Sequence, residues 1–134
     1  MAEPVVGSPM RLETWFGPEE FAERRQRVFE RIGDGAAVLQ GAGPLRGFAL
    51  FRQTNEFLYL TGLEAPQAYA LLDGAKGTAT AFLPDRPEKA PEEETLLYVE
   101  DGDRIRAATG LDEVLPWSAL ESRLRGCKRV FTPL

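Results

Sequence analysis

Four stretches hold residue types that could do chemistry. The run Glu92-Glu93-Glu94 offers carboxylates to a cation, but three consecutive residues cannot all turn to one ion without a special loop, so a solvated charge run is expected. Gly41-Ala42-Gly43 follows an apolar run, as a phosphate-cradling turn would. Pro44 and the lack of a third spaced glycine make it a plain turn instead. Cys127 is the only thiol, so it has no internal disulfide partner, and at the start of an apolar segment it reads as structural rather than reactive. The fourth stretch, Phe51 to Pro66, reads FRQTNEFLYLTGLEAP. Its aromatic, amide and charged residues are too irregular for an ordinary amphipathic helix or an alternating strand. Arg52, Gln53 and Asn55 can fix backbone groups around a tight turn, while Phe57, Leu60 and Tyr59 can anchor a short helix.

The chain contains no histidine. That removes Ser-His and Cys-His nucleophile pairs, histidine-containing zinc sites and a histidine acid or base near neutral pH. Carboxylate-only or lysine chemistry remains open. Sixteen basic against 21 acidic side chains give a net charge of −5, a field that repels phosphate backbones and anionic membrane surfaces. No nucleic-acid or membrane partner is therefore expected. No run approaches the roughly 18 apolar residues of a membrane span, and the opening MAEPVVGSPM has neither a basic nor a long apolar segment. A cytoplasmic location is the expectation.

The elements that must position these residues follow from punctuation and periodicity. One domain is expected over residues 1–134, with 1–14 a loose tail broken by Pro4, Gly7 and Pro9. Gly17 as N-cap, Pro18 in the first turn and Glu19-Glu20 at the positive end of the dipole predict a helix to Ile32. Its buried face carries Phe21, Val28 and Ile32, with Glu23, Arg24, Arg25 and Arg27 on the surface. AAVLQGA (36–42) predicts a buried strand, Gly43-Pro44 a turn, and FALFR (48–52) a second strand. Thr54 or Asn55 can cap a helix ending at Gly62, although Phe57, Tyr59 and Thr61 also alternate as in a strand. QAYALLD and TATAFLP around GAKG predict an antiparallel hairpin, and PDRPEKAPEEE (84–94) an exposed connection. TLLYVED (95–101) reads as a strand, Asp103 caps a short helix to Thr109, and LDEVLPW reads as an edge strand closed by Pro116. Ser118 with Glu121 has the spacing of a capping box, and KRVFTPL reads as a last strand. The alternation predicts an α/β fold with a mixed β-sheet flanked by helices.

The segment FRQTNEFLYLTGLEAPQAYALL resembles the amino-terminal domain of Xaa-Pro aminopeptidases (aminopeptidase P), of the creatinase/prolidase metallopeptidase superfamily. The family pattern is F/Y-R-Q, a short polar step, an aromatic-rich F-x-Y-L/F-T-G, then a proline before an apolar strand. Here these are Phe51-Arg52-Gln53, Phe57 to Gly62, and Pro66. Weaker likeness extends upstream through FAERRQRVFERIGDGAAVLQGA and downstream through GLDEVLPWSALESRL. The resemblance implies a ribonuclease H-like fold joined in the parent enzyme to a carboxy-terminal pita-bread catalytic domain. There two divalent metal ions, usually manganese, activate the water that attacks the bond before proline.

On that resemblance this chain is the non-catalytic part. It carries no catalytic or metal-binding residue of its own, and it supports homo-oligomerisation and restricts access to short peptides with proline second. Arg52, Gln53, Asn55, Tyr59 and Tyr98 are the candidate interface or substrate-mouth residues. Tyr98 is included because family members often carry an acidic residue closely followed by tryptophan in this region, where EEETLLYVEDG has only a tyrosine. The alternative is a free-standing protein-interaction module that keeps the fold without peptidase activity.

Overall fold

The computed structural model describes residues 11–12, 16–43, 53–88 and 97–133. The first long helix, α1 (Pro18–Ile32), begins as its sequence requires. Gly17 is extended, Pro18 stands in the first turn, and Gly33 ends the helix by donating its N–H to Phe29 O at 3.1 Å. Phe21 is fully buried, and Val28, Phe29 and Ile32 pack on the main core.

Within the expected loose tail, Arg11–Leu12 corrects the reading. These residues form β1, paired antiparallel with β3 (Leu63–Glu64). Between these partners lie β2 (Ala36–Gln40) and α2 (Asn55–Thr61). The expected strand at 48–52 and Pro44 of the expected turn lie outside the described residues.

The hairpin is β4 (Tyr69–Asp73) and β5 (Thr78–Leu83). Asp73 Oδ1 accepts from the N–H groups of Ala75 (3.1 Å) and Lys76 (3.3 Å), which closes the turn. After α3 (Gly102–Thr109) come β6 (Glu113–Pro116), α4 (Leu120–Arg125) and β7 (Val130–Phe131). The five-stranded sheet runs β6-β5-β4-β2-β7. Its central pairs are antiparallel and both outer pairs parallel, a mixed sheet as expected.

Strand alternation divides the side chains between two faces. Ala37, Leu39, Ala70, Leu72, Ala79 and Ala81 belong to the main core, together with residues of all three longer helices. Ala36, Leu71 and Phe82 face the other way, where Leu120, Leu124 and Cys127 pack. One face is thus covered by three helices and the other by the six residues of α4 and the turn before it.

Two local expectations are corrected. Residues Val99–Asp101 of the expected strand form a single 3-10 turn, because Asp101 closes the chain on itself: its carboxylate accepts from Tyr98 N at 2.9 Å and its N–H donates to Tyr98 O at 2.9 Å. The Ser118–Glu121 capping box does not form. Trp117–Ala119 make another 3-10 turn, α4 starts after Ala119, and Glu121 pairs with Arg125 instead.

Candidate functional site

The segment singled out by its sequence is built around Gln53. Its Oε1 accepts from Ala42 N (2.7 Å) and Thr54 N (3.0 Å), and its Nε2 donates to Leu63 O and Ala65 O, both at 3.1 Å. An amide has two acceptor and two donor positions, and all four are used. One half-buried side chain thereby ties the exit of β2 to the start of α2 and to β3.

From that pin α2 runs for two turns, and the helical reading of the segment prevails over the alternating one. Phe57 and Leu60 are buried three residues apart, on one helical face. The helix ends in a device that recurs in α3. Thr61 Oγ1 donates to Phe57 O at 2.7 Å and accepts from Leu63 N at 3.1 Å; Thr109 Oγ1 donates to Ile105 O at 2.6 Å and accepts from Leu111 N at 3.3 Å. Each threonine is followed by a left-handed glycine, Gly62 at φ 69° and Gly110 at φ 71°. At Gly62 a Cβ would also stand 2.5 Å from the Phe21 ring, so backbone and packing both exclude a larger residue.

Both helix ends converge on Arg25, which the sequence assigned to the surface of α1. It is buried, at 3% exposure. One guanidinium nitrogen donates to Leu60 O at 2.9 Å and another to Thr109 O at 2.9 Å. The cation therefore sits at the negative ends of two helix dipoles and satisfies a terminal carbonyl of each. Burial lowers its pKa to about 10 and Asp112 opposes the shift, so the side chain stays charged at neutral pH. Nothing in FAERRQRVFERI separates Arg25 from its neighbours; only the paired Thr-Gly endings hint that two helices need one cap.

The candidate residues are not equally placed. Tyr59 is half exposed, with the Arg24 guanidinium 4.4 Å from its ring centroid; the same cation lies 4.7 Å from the Phe16 ring. Arg24 Nη1 also donates to Tyr59 O at 3.1 Å, which fixes the stack. Asn55 is exposed at the first position of α2, and Tyr98 is buried at 7% exposure. Arg52 lies outside the described residues. Gln53, Asn55 and Tyr59 thus share one neighbourhood, and Phe16 and Arg24 join it with no signal from sequence spacing.

Two further polar contacts hold α4 in place. Arg123 makes two bonds to Glu113, at 2.8 and 2.9 Å, which hold the Glu113 carboxyl below its ordinary pKa and tie α4 to β6. Cys127 donates to Arg123 O at 3.3 Å, and burial pushes its thiol pKa up, away from a reactive thiolate. Among the described residues no group of three or more His, Cys, Asp or Glu gathers as a metal site, and Glu92-Glu93-Glu94 lie outside them. The donor set described therefore does not fit a two-metal peptidase centre. Among the described residues no helix is long and apolar enough to cross a membrane.

Against known families, residues 21–130 match the one described as aminopeptidase P, N-terminal domain. No curated protein matches the chain. Among solved structures, the chain is similar to aminopeptidase PepP of Pseudomonas aeruginosa (TM-score 0.73, 23% identity), covering 89% of this chain and 29% of that one. It is likewise similar to E. coli aminopeptidase P with the inhibitor Pro-Leu (TM-score 0.70, 24% identity), covering 87% of this chain and 29% of that one. At these identities the likeness shows the fold, and the chain spans under a third of either relative's length.

Proposed function

Because the chain belongs to the family of aminopeptidase P N-terminal domains, we propose that it is the non-catalytic amino-terminal part of an Xaa-Pro aminopeptidase-like metallopeptidase. In this reading a carboxy-terminal catalytic domain holds two divalent ions, manganese by family habit, and releases the first residue from peptides whose second residue is proline. The present part supports homo-oligomerisation in a cytoplasmic enzyme and narrows the mouth of the site so that short peptides enter. Asn55 and Tyr59 are the exposed candidates among the described residues. Gln53 contributes by holding α2 in place, and Arg52 and Tyr98 complete the candidate set.

The observation that carries this reading is the family match over residues 21–130 in a chain without a single histidine. Incubating the chain with manganese and a short Xaa-Pro peptide is expected to release no amino acid. Turnover that a chelator abolishes would overturn the assignment of a non-catalytic role.

A further inference from the structure

The helices of this fold are not held alike. Each of α1, α2 and α3 carries a large apolar side chain that is fully buried, respectively Phe21, Phe57 and Ile105. Among the described residues α4 is the one α-helix with no buried residue, and the 3-10 turn before it, Trp117–Ala119, has none either. Yet the sheet residues beneath them, Ala36, Leu71 and Phe82, are buried. The cover is half exposed, and what it covers is core.

Six residues are too few for a helix to sustain itself, since isolated helices shorter than about 12–15 residues are marginal in water. α4 therefore depends on its attachments. Ala119, Leu120, Leu124 and Cys127 pack, partly buried, on the sheet. Among the described residues two polar attachments reach outward from Trp117–Cys127: Arg123 holds Glu113 of β6 through two bonds, at 2.8 and 2.9 Å, and Trp117 Nε1 donates to Gln67 O at 2.8 Å. The bonds made by Ser122, Arg125, Gly126 and Cys127 stay inside the segment. Its two ends are fastened by other means. β6 pairs with β5, β7 pairs with β2, and Asp34 takes Arg129 at 3.2 Å.

We propose that Trp117–Cys127 is a strap that opens from the sheet as one unit while the rest of the fold persists, tethered at β6 and β7 and latched by the Arg123–Glu113 pair and the Trp117–Gln67 bond. Local opening draws on segments with few buried apolar contacts, and this segment meets that condition along its whole length. Its residues regain conformational entropy when freed, with no deeply buried side chain of their own to hold them back. The opposing term lies in the sheet. Opening uncovers Ala36, Leu71 and Phe82, so the open form is the minor state, one in which the chain shows an apolar face that the closed form hides. The device goes beyond the proposed function, since it belongs to this chain alone and needs no catalytic domain.

Hydrogen exchange of the whole chain, followed by NMR in rising sub-denaturing urea, tests it. The Trp117 indole N–H and the amides of Gly126 and Cys127 should share one opening constant. That constant should exceed the one at the β4 amides by at least about tenfold and should depend less steeply on urea, because less surface is exposed. Glu113→Gln keeps the shape and loses the charge, and Trp117→Phe keeps a ring and loses the bond. Each should raise the opening constant read at Gly126 and Cys127 about fivefold. Unlike opening constants at the three reporters, a shared constant equal to that of β4, or an unchanged constant in either variant would each overturn the proposal.

Discussion

Replacing Arg25 tests whether one cation couples two helices to a third. In Arg25→Ala the two charge-assisted bonds to Leu60 O and Thr109 O disappear, a gross loss of about 3–6 kcal/mol. Removing a buried stem adds about 2 kcal/mol for the space it leaves. Against these stands the burial of a guanidinium whose pKa has fallen to about 10, a relief of about 3 kcal/mol on deletion. The net expectation is destabilisation of about 3 kcal/mol, a drop in Tm of about 10 °C for a chain of this size. Arg25→Met keeps the stem and loses only the bonds, so it should cost less than alanine. Equilibrium denaturation followed by circular dichroism gives the magnitude. Hydrogen exchange at Gly62 and Gly110, the amides that close α2 and α3, gives the mechanism. Both amides should lose protection together. An alanine variant within about 0.5 kcal/mol of the parent, the range of an ordinary surface change, would refute the coupling; so would loss of protection at one helix end alone.

Three further outcomes are expected. Gln53→Ala breaks four hydrogen bonds at once and should destabilise the fold by about 2–3 kcal/mol in denaturant titration, the loss centred on Ala42, Leu63 and Ala65. Gly62→Ala meets both a positive φ and the Phe21 ring and should cost about 2–4 kcal/mol, read as a lowered Tm. Because the native Glu113 carboxyl titrates below its ordinary value, its contribution is complete above that value and is lost as pH falls through the depressed one. Glu113→Gln should therefore flatten the acid limb of the stability–pH curve by no more than about 1 kcal/mol, as suits a pair one-third exposed.

Much of the fold is local and was legible as such. Gly17-Pro18-Glu19-Glu20 starts α1, Asp73 and the glycines near it close the β4–β5 hairpin, and Gly62 ends α2. Each acts within a few residues of its own position, so spacing alone reveals it. The aromatic and amide pattern from Phe51 to Gly62 likewise pointed to the family. The failures lie where a residue bonds to itself or its neighbours instead of following periodicity. Asp101 curls 99–101 into a 3-10 turn, and Glu121 chooses Arg125 over Ser118.

Periodicity and punctuation, both one-dimensional, established that the chain holds helices, a hairpin and a mixed sheet, and composition established that imidazole chemistry is absent. Which charges go inside is a three-dimensional matter. Arg25 is buried because two helix ends, 35 and 84 residues further along the chain, happen to present carbonyls at the same point. Gln53 matters because four backbone groups from three segments surround it. Trp117 Nε1 likewise crosses 50 residues of sequence to reach Gln67 O. Desolvation and hydrogen-bond satisfaction are settled among neighbours in space, so tertiary structure alone decided them.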